Sequence, residues 1–269
     1  MSVRDLLRDA VLWVRRQLAL RRVARVTSGD DGLRRILRAV EQTLRGELSP
    51  EERSWIRRIT ELRRRLRASR DLVTPPDADP ALAHTVGQRY LSSKSHLGAL
   101  LLFHLVREFR PSRCLELGTN LGVSAAYQAA ALALNGGGEL HTIEGTAALV
   151  DLARRHLASL GLAAEVHAGW FSDVLPGLLA RTAPLDHVFI DGHHDGPATV
   201  GYFAQIHPAL GPGALVVFDD VAWSAGMAEA WRTIQADPRV RVAVGLGTMG
   251  VCLVGGEGEP VRIDLPIPG

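Results

Sequence analysis

Cysteine, lysine and long apolar runs are nearly missing from this chain of 269 residues. Its two cysteines, Cys114 and Cys252, stand far apart, each inside an apolar stretch. That leaves no disulfide framework and reads as a reduced, cytoplasmic setting in which both thiols act as small core groups. The longest apolar stretch, Leu97 to Val106, contains His104 and is too short to span a bilayer. Val11–Val14 is closed by Arg15 and Arg16, too early for a secretory segment. Lysine occurs once, as Lys94, in a chain that otherwise uses arginine. Internal repeats and low-complexity tracts are not evident.

What is present reads as a globular α/β protein: 46% hydrophobic and 22% charged residues, long enough for one large domain plus an extension. The net charge of +2 hides an asymmetry. Residues 1–71 carry 19 arginines against 10 acids, or +9, and the rest carries −7. The first 70 residues read as three amphipathic helices. Leu7, Val11, Val14 and Leu18 form one stripe; Leu33, Leu37, Val40 and Leu44 a second; Trp55, Ile59, Leu62 and Leu66 a third, opened by the capping box Ser49-Pro50-Glu51-Glu52. This region is expected to be a helical cap packed on the main domain or on a second copy in a homodimer. Its arginines also allow peripheral contact with anionic lipid; nucleic acid is disfavoured because acids are interspersed. The expected division is a helical extension over 1–73, a linker over 74–84 and the main domain over 85–269.

After a helix expected over 90–109, strands and helices alternate. Strands are expected at 113–117, 139–144, 163–168, 185–191, 213–219, 239–244 and 249–254, with helices near 123–134, 147–160, 172–181, 197–208 and 224–236. Alternation predicts a mostly parallel sheet covered on both faces, with the last two strands as an antiparallel hairpin at its edge. The stretch Leu115-Glu116-Leu117-Gly118-Thr119-Asn120-Leu121-Gly122-Val123-Ser124 is a strand, a glycine turn and a helix N-terminus, where backbone N–H groups can face a ligand. Glycines at 118 and 122 do not have the Gly-x-Gly-x-x-Gly spacing of a dinucleotide cradle.

This Glu-x-Gly-x-x-x-Gly-x-Ser pattern resembles the first motif of class I S-adenosylmethionine-dependent methyltransferases, closest to small-molecule O-methyltransferases such as the catechol and macrolide-sugar enzymes. The resemblance covers roughly residues 85–255. It implies a Rossmann-like seven-stranded methyltransferase sheet and an S-adenosyl-L-methionine site at the strand ends. Cofactor contacts are expected from Glu116, Gly118, Thr119, Asn120, Gly122 and Ser124. Glu144 with Gly145 would meet the ribose hydroxyls, and Gly169 with Trp170 the adenine. Asp191 and His193 would lie near the cofactor. Ser92-Ser93-Lys94 resembles the segment lying over its methionine end.

Strand four runs into Asp191, His193 and His194, and strand five into Asp219 and Asp220. On neighbouring strands about 4.8 Å apart, three such carboxylates repel, and a hard divalent cation is the simplest resolution. The resemblance agrees: Asp191, Asp219 and Asp220 are the expected ligands of Mg²⁺, or of Mn²⁺ or Zn²⁺ given the two histidines. His194 stands three residues after Asp191, where catechol O-methyltransferase has a lysine and sugar O-methyltransferases a histidine, each taken as the base. The implied reaction is methyl transfer to a hydroxyl of a small molecule. Two other readings stay open. One is a nucleic-acid methyltransferase guided by the basic arm, although Phe218-Asp219-Asp220-Val221 stands where an Asn/Asp-Pro-Pro-Tyr/Phe signature would be. The other is a non-catalytic cofactor-binding module docked on a membrane or partner.

Overall fold

The computed structural model describes residues 3–73 and 84–268, with side chains described from residue 11 onward. The expected linker, 74–84, lies outside the described residues except for His84. Three helices open the chain: α1 (Val3–Val23), α2 (Asp31–Arg45) and α3 (Pro50–Ala68). Asp30 caps α2 by accepting from the Leu33 N–H, and Ser49 with Glu52 forms the anticipated capping box on α3. α4 (Val86–Tyr90) and α5 (His96–Phe109) follow.

The strands are β1 (Arg113–Leu117), β2 (Glu139–Glu144), β3 (Glu165–Ala168), β4 (Leu185–Ile190), β5 (Leu210–Phe218), β6 (Val240–Gly245), β7 (Gly250–Val254) and β8 (Val261–Asp264). Between them run α6 (Val123–Asn135), α7 (Ala147–Leu160), α8 (Phe171–Thr182), α9 (Gly196–Ile206) and α10 (Ala225–Ala236). The sheet order is β8-β6-β7-β5-β4-β1-β2-β3, with β7 antiparallel to both neighbours and every other pairing parallel.

Two expectations are corrected here. The sheet has eight strands, because Val261, Ile263 and Leu265 continue an alternating pattern that lets β8 pair in parallel with β6. Residues 90–109 do not form one helix: Ser95 accepts from the Gly98 N–H and starts α5 afresh, leaving Leu91–Ser95 as a turn.

The amino-terminal helices belong to the core. Leu33, Ile36, Val40 and Leu44 of α2 pack with Leu101, Leu102 and Leu105 of α5 and with the inner face of β5–β7. Ile56, Ile59, Leu62 and Leu66 of α3 pack with α5, α6 and α7. α5 is therefore covered all round, which explains its continuous apolar run. His104 is tolerated there because Thr43 Oγ1 lies 2.8 Å from its Nδ1 and the Glu47 carbonyl 3.2 Å from its Nε2; burial pushes its pKa down to about 4. The first stripe is a further correction. Val11, Val14 and Leu18 are exposed, as is Trp13, while Ala19 and Val23 make the contact with α2; the Leu7 side chain lies outside those described. Among the described residues no helix is long and apolar enough to cross a membrane.

Candidate active site

β1 lies between β2 and β4, so consecutive connections leave it in opposite directions. An open α/β sheet has its ligand crevice above such a point, at the carboxyl ends of the strands. A cavity of about 570 Å³ opens there. The strand ends are laced together: the Asp191 N–H donates to the Leu117 carbonyl at 2.9 Å, and the Asp219 N–H to Ile190 at 2.9 Å.

On the β1–β3 side the wall is mostly backbone. Gly118 has φ +103°, and a Cβ there would stand 2.0 Å from the Asp191 carbonyl oxygen, so the turn needs glycine on both counts. Thr119, Asn120 and Ser124 line the cavity beyond it. Glu144 ends β2 with both oxygens engaged, one accepting from the Asn120 N–H at 2.8 Å and the other from the Thr146 N–H at 2.9 Å. Each keeps a lone pair for a hydroxyl. Trp170 is exposed and its ring lies against Gly145, where a Cβ would approach to 3.0 Å; with Gly169 this leaves a flat apolar slot.

Two expected contacts are not in this wall. Glu116 is fully buried beneath it, accepting from Thr142 Oγ1 at 2.8 Å and Gln128 Nε2 at 3.1 Å. Burial pushes its carboxyl up to about 7, against the hydrogen bonds from Ser124, Thr142 and Gln128. Gly122 caps α6, faces Ala153 of α7 and does not line the cavity.

The β4–β5 side is made of ionisable side chains on a strained backbone. His193, His194 and Asp220 have φ of +71°, +43° and +52°, and Asn120 across the cavity +47°. Non-glycine residues in the left-handed region are uncommon and gather at functional sites. His193 Nδ1 lies 2.9 Å from the Tyr202 hydroxyl. His194 Nδ1 lies 3.4 Å from Asp220 Oδ2. Asp191 is pushed well above the usual carboxylate range by burial and by neighbouring Asp219, and Asp220 is raised by the same two causes. Lys94, from the turn before α5, is ion-paired with Asp219, and both side chains are buried.

A methyltransferase-domain family model matches residues 115–221. Over 110 residues the chain is 36% identical to a catechol O-methyltransferase of Niastella koreensis. That stretch is 40% of this chain and 48% of that protein, so the chain spans about half the length of that relative. It is 31% identical to the O-methyltransferase TomG of Streptomyces achromogenes, solved with S-adenosylmethionine, with 61% of this chain and 82% of that one covered at a TM-score of 0.52. The chain belongs to the class I S-adenosylmethionine-dependent methyltransferases of the small-molecule O-methyltransferase type. An O-methyltransferase from Bacillus cereus, solved with S-adenosylhomocysteine, shares the fold at 22% identity and a TM-score of 0.55, covering 80% of this chain and 97% of that one.

Against this methyltransferase background the acid group can be tested for a metal. Asp191, Asp219 and Asp220 are adjacent, but as they stand they do not fit a divalent cation. Among the described residues they do not bring one ligand atom each within 4.8 Å of the others; the group that does so is His141, Glu165 and His167, on the β2–β3 edge. Asp219 already has an ammonium partner, and Asp220 faces His194. Site residues that sequence reasoning missed are Arg89, Thr146 and Tyr202 in the wall, and Arg63, which braces it. Only Thr146 had a local signal, as the residue two beyond the strand-ending acid.

Proposed function

We propose that this methyltransferase transfers a methyl group from S-adenosylmethionine to a hydroxyl oxygen of a small molecule. One observation carries the reading: a single cavity joins the Gly118 turn and the doubly anchored Glu144 to His194, whose Nδ1 faces Asp220. S-adenosylmethionine supplies an electrophilic methyl on a sulfonium. Glu144 would accept the ribose hydroxyls, the Gly118–Asn120 turn would face the amino-acid end, and Trp170 would cover the adenine. His194 would take the hydroxyl proton of the acceptor on its Nε2, while Asp220 orients the ring through Nδ1 and stabilises the imidazolium that forms. Most of the rate enhancement then comes from holding oxygen and methyl in line.

The alternatives fare worse on specific contacts. Arg35, Arg38, Arg58 and Arg63 of the arm are spent on fastening the amino-terminal helices to the domain, through Glu108, Leu160 O and Lys94 O. That leaves less of a basic surface for nucleic acid. For membrane contact or dimerisation, α1 offers the exposed Val11, Trp13, Val14 and Leu18. Buried, unpaired Cys114 and Cys252 suit a reducing cytoplasm.

The test is an assay with methyl-labelled S-adenosylmethionine against a panel of catechol, sugar and polyketide hydroxyls. A methyl ether product that His194→Ala reduces at least about a hundredfold supports the reading. Failure of the parent protein to bind S-adenosylhomocysteine would overturn it.

A further inference from the structure

The one lysine of the chain lies where the acid cluster of strands four and five comes together. Its ammonium pairs with Asp219 Oδ1, and the two side chains are 8% and 5% exposed. Lys94 also lines the cavity, as do Asp191 and His194, and its charge is near enough to act on Asp191 and Asp220.

This placement is built by several independent elements. Arg63 of α3 donates to the Lys94 carbonyl at 2.9 Å and stacks over Tyr90, fixing the turn from the amino-terminal side. Ser95 caps α5 directly after it. The lysine stem lies over Gly98, where a Cβ would stand 2.6 Å from Lys94 Cε, so a larger residue at 98 would push the stem away. In a chain with 31 basic residues, 30 of them arginine, a compact point charge is used here and nowhere else. A planar guanidinium needs more room and a forked partner; an ammonium needs neither.

We propose that the Lys94 ammonium is the resident cation of the acceptor end, occupying the place of a divalent metal, and that it receives the acceptor oxygen. The proposal rests on the O-methyltransferase reading for the identity of that oxygen. An ammonium has three N–H donors; one serves Asp219, and the others remain for an oxygen that gains negative charge as His194 takes its proton. A divalent ion could enter only by displacing Lys94 and breaking a buried ion pair, which is strongly unfavourable.

The test is uptake of Mn²⁺, read as loss of free-ion paramagnetic resonance signal. It would compare the parent, Asp219→Asn, Lys94→Ala and the double variant, each saturated with S-adenosylhomocysteine and checked by circular dichroism. The parent and Asp219→Asn should take up Mn²⁺ alike. Lys94→Ala should gain a site at least about tenfold tighter, which the double variant lacks. A site in the parent that Asp219→Asn loses would overturn the proposal, as would Lys94→Ala gaining none. If Lys94→Ala does not fold, Lys94→Met carries the same comparison, and the parent against Asp219→Asn needs no lysine variant. Absence of S-adenosylhomocysteine binding by the parent would instead overturn the functional reading, so the two failures are distinguishable.

Discussion

On the β1–β3 side the cavity presents backbone and a single carboxylate; on the β4–β5 side it presents ionisable side chains brought from three separate segments, with Asp219 and Asp220 behind them. The first side is specified locally. Gly118, Asn120 and Glu144 sit at strand ends whose positions follow from hydrophobic runs and one glycine turn, and the Asn120 N–H to Glu144 bond spans only one βα unit. The second side is specified globally. Lys94 and Asp219 are 125 residues apart in sequence, and they meet only because α5 is clamped between the amino-terminal helices and the sheet. A backbone-built site is rigid and hard to alter without loss of binding. A side-chain-built site can be changed residue by residue, which suits the half that has to match a particular acceptor.

If that contrast holds, substitutions on the two sides separate into binding and turnover effects. The largest effect is expected from His194→Ala, with turnover falling about a hundred- to ten-thousandfold while S-adenosylhomocysteine affinity stays within a few fold. The readout is kcat beside calorimetric Kd; a proportional loss of both would erase the distinction between the sides. Next is Gly118→Ala, where a Cβ at +103° would meet the Asp191 carbonyl. Cofactor affinity should fall by about a hundredfold or more, near 2.7 kcal/mol. Glu144→Gln should weaken cofactor binding about ten- to a hundredfold with a smaller change in kcat, since one oxygen of the pair becomes a donor.

Beneath the backbone-built side, Glu116 offers a pH-dependent comparison. Its carboxyl is raised from 4.5 to about 7 by burial, so the folded state holds the proton more tightly than the unfolded one. Its contribution is therefore full below about 4.5 and is lost as pH rises through about 7, on the order of 3 kcal/mol. Glu116→Gln should gain stability relative to the parent across that window, measured by urea unfolding at each pH. His104 and His187, lowered to about 4 by burial, run in the opposite direction but are common to both proteins and cancel in the difference. The smallest effect belongs outside the cavity: Trp13→Ser on the exposed face of α1 should change unfolding free energy by less than about 0.5 kcal/mol.

The sheet from β1 to β7 was legible because strands buried on both faces are continuous apolar runs punctuated by glycine and acids. β8 was missed because Val261-Arg262-Ile263-Asp264 is half-exposed and short, a weak alternating signal at the edge. Position at a strand end placed Glu144 and Asp191 beside the crevice, and the offset from Asp191 given by the family resemblance placed His194 there; all three line the cavity. Glu116, expected at the cofactor from the motif resemblance, lies beneath the cavity wall. It precedes the turn by two residues, and on a buried strand that puts its side chain between β2 and α6, where Thr142 and Gln128 satisfy it. No spacing in the chain could have indicated that Lys94 reaches Asp219, because that contact depends on how α3, α5 and the sheet stack.

The central claim is that the backbone-built side binds the methyl donor and does so without a metal. Calorimetric titration of the full chain with S-adenosylhomocysteine in excess EDTA tests it most directly. One site per chain with micromolar affinity, weakened at least about tenfold by Glu144→Gln, is the predicted result. No heat of binding, or binding indifferent to Glu144→Gln, would contradict the account.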